Sequence, residues 1–293
     1  MKELLPFINP VQWIRAGSYA RKHSHFQRSA NDPELHLYSK ILNSRMLHYG
    51  YFDDTEIIPE EISLAMFERA QARYAGMIME HITDRDNVVL DVGCGLGGLA
   101  GMMRSNGFET EVVTPDANQA AFIMETLPLI RCHQCKFENF EPAMKYGTLI
   151  NAESLQYINL AKAFRKAEES IQPGGKWIIA DYFRTSDDSR GGHLLSDFLG
   201  KAAEYNWKIE LERNITPNVL PTLRFLTMYI GRIVLPLKEY GYEKFRLKRP
   251  RLYFLSGKLR EKVDRKILKE TAVIDPEIFA GRRRYMLFVL KKA

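Results

Sequence analysis

The sequence predicts an α/β fold in which a doubly wound, mostly parallel sheet of seven strands lies between helices. Three observations predict it. Short apolar runs alternate with amphipathic segments from residue 87 to residue 184, a rhythm that imposes parallel pairing with helices on both sheet faces. The first run, in "NVVLDVGCGLGG", ends in a glycine turn that opens the next helix. The chain closes on one more apolar run, "RRYMLFVLKK", after a long helical stretch.

The elements follow in order. Residues 1–84 form an N-terminal helical cap. Its clearest part is "EEISLAMFERAQARYAGMIMEHI", where Ile62, Met66, Ala70, Tyr74 and Met77 recur at helical spacing. Residues 85–215 form the core. "NVVLDV" is a strand, and "LGGLAGMMRSNG" is a helix stopped by Gly107. "ETEVVT" is a second strand, followed by a helix that Pro115 and Asp116 begin. "LIRCHQC" and "GTLINAES" are the third and fourth strands. "LAKAFRKAEESIQPGG" is a helix ending in a Pro-Gly-Gly turn, and "KWIIADYF" is the fifth strand. A helix near 192–205 and "NWKIELER" complete the core. Residues 216–280 are helical, aromatic and basic, and residues 281–293 hold the last strand. A helical segment inserted before the last strand falls near the carboxyl edge of the sheet, where open α/β sheets bind ligands, so it is expected to act as a lid.

Composition narrows the classes. The 293 residues are 45% hydrophobic and 27% charged, as in a globular chain with a sizeable core. Three cysteines, Cys94, Cys132 and Cys135, are too few for a disulfide framework, and the first 17 residues hold no apolar run of signal-peptide quality. A cytoplasmic location is the expectation. Cys132 and Cys135 form a C-x-x-C without a second ligand cluster, so no metal is expected. The net charge of +6 is uneven, because residues 193–293 hold 22 Lys and Arg against 11 Asp and Glu. Between Arg224 and Lys269 there are 14 basic residues against 4 acidic ones, interleaved with aromatics. No nucleic-acid-binding motif accompanies them. An anionic or apolar small molecule, or peripheral contact with a membrane surface, fits the pattern.

The glycine turn carries the chemistry. Gly93, Gly95 and Gly98 satisfy G-x-G-x-x-G, in which glycines let the backbone turn sharply and approach a ligand closely. Several nucleotide-like cofactors use such a turn. Asp91, two residues earlier, sets a carboxylate beside it; that suits an ammonium group and opposes a pyrophosphate.

"VLDVGCGLGG" resembles the first motif of the class I S-adenosylmethionine-dependent methyltransferases, and "IQPGGKWIIADYF" resembles that family's later P-G-G strand element. "MLHYGYFDD", Met46 to Asp54, and "NITPNVLPTL" are similar to the branch that contains tocopherol, sterol and small-amine methyltransferases, with the cyclopropane fatty acid synthases as cousins. The resemblance covers roughly residues 35–290, least in the C-terminal lid. It implies a Rossmann-like methyltransferase fold, S-adenosylmethionine as cofactor, and methyl transfer to O, N or C of a small metabolite.

Residue by residue, the resemblance assigns Asp91, Gly93, Gly95 and Gly97 to the cofactor. Where the family places a ribose-binding acid, this chain has Thr114, followed by Pro115 and Gln119, which the cyclopropane-synthase cousins share in kind. Asp116 is read as the cap of the next helix. Phe137 and Glu138 match an adenine site, with Lys136 as a departure. Tyr38 matches an upstream tyrosine that touches the cofactor. His48, Tyr49 and Glu153 are the candidates for a base or clamp at the reacting centre. The cyclopropane-forming cousins carry a cysteine within the segment matching "HYGYF" and a histidine where this chain has Gln156. Tyr49 and Gln156 therefore favour simple methyl transfer; a lipid-modifying cyclopropane enzyme and a non-catalytic binder on the same fold are the alternatives.

Overall fold

The computed structural model describes residues 45–187 and 191–292, together with Val11, Ile14, Arg15 and Ser18. Tyr38 lies outside the described residues.

Helix α1 (Leu64–Met79) starts where the Ser63 side chain accepts the Met66 N–H, and its buried face is Phe67, Ala70, Tyr74, Met77 and their neighbours. The core then alternates as the apolar rhythm requires: β1 (Val89–Val92), α2 (Gly98–Ser105), β2 (Thr110–Thr114), α3 (Ala117–Thr126), β3 (Arg131–Gln134), β4 (Tyr146–Ala152), α4 (Leu160–Ser170), β5 (Ile171–Arg184), α5 (Leu195–Glu204) and β6 (Lys208–Asn214). Helix α6 (Thr216–Tyr229), a π-helical stretch (Ile230–Val234) and α7 (Leu235–Lys248) form one continuous helix. Short α8 (Pro250–Leu255), α9 (Gly257–Val273) and α10 (Pro276–Arg282) lead into β7 (Arg283–Lys291). The π-helical stretch precedes Pro236, whose missing N–H and bulky ring disturb the register of the turn before it.

The seven strands lie in the order β3-β2-β1-β4-β5-β7-β6. Pairing is parallel from β3 to β5, and β7 runs antiparallel between β5 and β6. The chain order reverses between β1 and β4, so the ligand crevice of an open α/β sheet belongs at their carboxyl ends. Strand alternation feeds two core layers. Leu90, Trp177, Ile179 and Phe288 point to one layer with Phe164 and Phe198; Val89, Ile178, Ala180 and Leu287 point to the other with Tyr74, Met103 and Leu223.

Two expectations change. The Pro-Gly-Gly element does not end a helix. Helix α4 stops at Ser170, Ile171 already pairs with Tyr146, and Pro173-Gly174-Gly175 occupies a bulge before Lys176 meets Thr148. Gly174 takes φ +74°, which a side chain would resist.

The 216–280 segment also differs from a lid. Its first turns are anchored: Val219 and Leu223 sit in the second core layer, and Phe225 stacks on Phe67 with ring centroids 5.6 Å apart. Beyond them, no described residue from Leu226 to Ile278 is buried, and the segment leaves the sheet as a helical hairpin. Leu223→Ala should therefore cost 2–5 kcal/mol in urea denaturation, the usual range for a fully buried leucine. Leu237→Ala, at a side chain 63% exposed, should stay within about 0.5 kcal/mol. Equal costs would mean that the hairpin packs on the core.

Candidate active site

The turn after β1 is built by close approach. Gly93, Gly95 and Gly97 all take positive φ. A Cβ on Gly93 would fall 2.4 Å from that of Ser154, and a Cβ on Gly98 would fall 2.8 Å from the backbone of Arg45. The first contact locks the turn against the end of β4. The second lets residues 45–48 lie across the start of α2 as a strap. A buried relay holds the arrangement: Trp177 Nε1 donates to Asn151 Oδ1, Asn151 Nδ2 donates to Ser154 Oγ, and Ser154 Oγ donates to the Val92 carbonyl. It ties β5, β4 and β1 together at their carboxyl ends.

Between strap and sheet lie two adjoining hollows of about 280 and 320 Å³ that share Gly93, Gly95, Gln119, Glu153 and Tyr157. The first is walled by the strap, Asp91, Cys94, Leu99 and Gln156; the second by Thr114, Pro115, Asp116, Lys136, Phe137 and Glu138. No residue of 216–280 lines either one, so the roof comes from the N-terminal side of the core. The reason is packing: the apolar face of α6 is committed to α1 and the second core layer, where Gly50 N–H meets Thr222 Oγ1 at 3.1 Å.

Asp91 is 1% exposed, and its Oδ2 has no hydrogen-bond partner among the described residues. Burial pushes its carboxyl up to about 7. A buried carboxylate oxygen left unpaired on a ligand cleft is the position for an ammonium group.

Glu153 ends β4 in a strained conformation, φ 54°. Its Oε1 accepts the Tyr49 N–H at 2.7 Å and the Tyr285 hydroxyl at 2.8 Å. Burial raises its carboxyl to about 7 against the pull of those two bonds. Tyr285 continues through Tyr74, 2.7 Å away, to the Ala180 carbonyl. Beside it, burial raises Asp181 to about 8, although the Gln156 and Tyr182 backbone N–H groups hold its two oxygens.

His48 reaches the cleft and Tyr49 does not. The His48 Nδ1 lies 3.1 Å from the Tyr49 carbonyl, so Nδ1 carries the proton and Nε2 presents a lone pair, buried without a partner among the described residues. Burial lowers this imidazole to about 4, and it is neutral at pH 7. The Tyr49 ring packs near Tyr285 and Phe279, burial raises its phenol further, and its contribution to the site is the N–H that holds Glu153.

On the other side, Thr114 is fully buried and its hydroxyl donates to Gln119 Oε1 at 2.7 Å. Thr114 thus positions Gln119 and leaves its amide N–H groups for the cleft. Asp116 caps α3 by accepting the Asn118 and Gln119 N–H groups, as its place before the helix predicts. Phe137 is 2% exposed and packs beside Phe140, so it floors the hollow rather than offering an open ring face. Glu138 is half-buried at the rim. Asp181 and Tyr285 are absent from the residues that the sequence singled out, and Tyr74 entered only as part of a helix face. Asp181 carries the same signal as Asp91, an acid inside an apolar strand; the tyrosines carry none.

The fold has counterparts among solved structures. A putative sarcosine dimethylglycine methyltransferase from Galdieria sulphuraria superposes with a TM-score of 0.66 over 89% of this chain and 99% of that one, at 14% identity. The geranyl diphosphate C-methyltransferase of Streptomyces coelicolor A3(2), in complex with S-adenosyl-L-homocysteine, gives 0.64 over 94% and 98%, at 17% identity. The fold is that of the class I S-adenosylmethionine-dependent methyltransferases. In sequence, the sterol 4-C-methyltransferase strm-1 of Caenorhabditis elegans is 26% identical over 165 residues, which is 52% of this chain and about half the length of that relative. No protein-family model matches the chain.

The Asp91 carboxyl makes a testable contribution to stability. Its folded value of about 7 stands above the ordinary 3.8, so between those values the folded protein holds a proton that the unfolded chain has released. Its contribution therefore falls as pH rises through that window and stays lost above it. Asp91→Asn should raise the thermal midpoint of the ligand-free protein at pH 8, by ~1–3 kcal/mol in stability, and change it far less at pH 4. An equal change at both values would show that Asp91 is not protonated by burial.

Proposed function

We propose that this chain is an S-adenosylmethionine-dependent methyltransferase that adds one methyl group to a small, partly apolar acceptor. The observation that carries the reading is the buried Asp91 side chain, which lines a glycine-cradled cleft and has one oxygen without a hydrogen-bond partner among the described residues. The likeness to a sterol C-methyltransferase and to a geranyl diphosphate C-methyltransferase supports an apolar acceptor.

The residues present fit the cofactor. Asp91 would take its ammonium group, the Gly93–Gly97 turn would admit its backbone-hugging chain, Gln119 and Asp116 would meet the ribose, and Glu138 the adenine amine, with Phe137 as floor. When bound, the cofactor supplies an electrophilic methyl group on a cationic sulfur. The chain's part is to hold the acceptor in line with that carbon and keep water away. Buried carboxyl groups at Asp91 and Glu153 favour a positively charged ligand over an anionic one, because they ionise more readily beside a cation. Glu153, held from behind by Tyr49 N–H and Tyr285, keeps a fixed position between the two hollows. His48, which lines the first hollow, would offer its neutral imidazole as a hydrogen-bond acceptor to the acceptor's reacting group.

Calorimetry should show S-adenosylhomocysteine binding and no NADH binding. The affinity should climb as pH rises through about 7, where Asp91 ionises, and fall roughly tenfold per unit below it. Asp91→Asn should weaken binding and flatten this dependence. Tight NADH binding without a response to S-adenosylhomocysteine would overturn the reading. With an accepted substrate, mass spectrometry should find one added methyl group. A ring closed across a lipid double bond would replace methyl transfer with cyclopropane formation.

A further inference from the structure

The hairpin of α7, α8 and α9 is the part of the molecule that the site does not use. Among the described residues, 22 large apolar side chains are exposed, and 13 of them lie between Tyr229 and Val273. Their placement is ordered. On α7, Lys238, Tyr242 and Phe245 form one face and turn inward: Lys238 pairs with Asp264 at 2.9 Å, Tyr242 lies near Asp264 and Arg260, and Phe245 meets the Tyr253 ring at 5.9 Å. Arg260 stacks over Tyr253 at 3.4 Å to the ring centre. The hairpin is therefore pinned internally by charge and aromatic contacts. The opposite face of the same helix carries Leu237, Tyr240 and Leu247 at helical spacing, 63%, 62% and 75% exposed. At the turn between α7 and α9, Phe254 and Leu255 are 83% and 77% exposed.

Isolated surface leucines need no explanation, but an ordered apolar face on a projecting hairpin does. Charge selects what covers it. The 14 basic against 4 acidic residues between Arg224 and Lys269 surround this face, and Asp264 and Glu243 are already engaged by Lys238 and Arg246. A second copy would bring the same positive surface against itself. Lys248, Arg251 and Lys258 flank the exposed tip, with long stems that lie along an apolar layer while their heads reach phosphates. The helix Thr216–Lys248 is 33 residues long and, by length and composition, apolar enough to cross a membrane, yet its first half is locked in the core, so it suits insertion into an interface rather than passage across it.

We propose that this hairpin docks the protein on an anionic lipid bilayer, with Leu247, Phe254 and Leu255 entering the boundary between headgroups and acyl chains and Lys248, Arg251 and Lys258 contacting lipid phosphates and carboxylates. Binding combines burial of the apolar tip with attraction to the negative surface, and the second part weakens with salt.

The test is flotation of the full chain with vesicles of phosphatidylcholine alone or with roughly one phosphatidylserine in three lipids. The protein should float with the anionic vesicles, far less with the neutral ones, and less as salt rises. Phe254→Ser/Leu255→Ser and Lys248→Glu/Arg251→Glu/Lys258→Glu should each reduce partitioning at least about tenfold. All these side chains are exposed, so the thermal midpoint of each variant should match that of the parent. Failure of the parent protein to float at low salt, equal flotation with both vesicles, or full flotation of either variant would overturn the proposal. So would concentration-dependent self-association that the Phe254→Ser/Leu255→Ser variant abolishes, which would make the face an interface between copies. None of these outcomes depends on the cofactor or on methyl transfer.

Discussion

At the carboxyl edge of one sheet Asp91 and Asp181 are buried and Glu153 is half-buried, and no lysine or arginine is buried among the described residues. Taking charge out of water without a partner is costly, so each carboxyl rises well above its ordinary range. The rest of the site is arranged around that constraint. Backbone N–H groups and the Tyr285 hydroxyl hold Glu153 and Asp181, and the Trp177–Asn151–Ser154 relay fixes the glycine turn beside them. Asp91 keeps one oxygen unmatched. The unmet demand at that oxygen is what a cationic ligand would satisfy, so the feature that lowers stability in the empty protein would favour a positively charged group in the cleft.

The opposite condition prevails in the hairpin. Core helices α4 and α5 bury Phe164 and Phe198 against Trp177 and Phe288, whereas α7 to α9 have no buried residue among the described ones and rely on ion pairs and cation–aromatic contacts for their shape. Exposed ion pairs contribute little each. A hairpin held in this way has stability well below that of the sheet, and its ordered apolar face gains most from a surface brought to it.

Much of the core was legible because it rests on local pattern. Apolar alternation located every strand, and the glycine turn with its preceding acid pointed to the cleft. The Asp116 cap was readable from its position before an apolar helix. The shortfalls have physical causes. Pro-Gly-Gly reads as a helix stop, but a bulge in β5 uses the same residues. A basic aromatic insertion near the ligand edge reads as a lid, but the direction in which it leaves the core depends on how Val219, Leu223 and Phe225 pack. Tyr49 looked like a reacting group because of its neighbours in sequence, whereas its backbone N–H does the holding.

The sequence by itself determined the succession of strands and helices along the chain, the acid and glycines of the turn, and the excess of positive charge between Arg224 and Lys269, because each is a property of residues close together in the chain. The tertiary structure alone decided which groups share the cleft. Glu153 meets Tyr285 across 132 positions, His48 stacks on Tyr74, and Asp181 joins them from β5. It also decided that residues 45–48 roof the cleft while the hairpin turns away. Those outcomes depend on strand order and on which apolar faces fill the two core layers. Contacts of that kind carry no local signature, since a tyrosine inside a strand reads the same whether its hydroxyl ends at a cleft carboxylate or in ordinary packing.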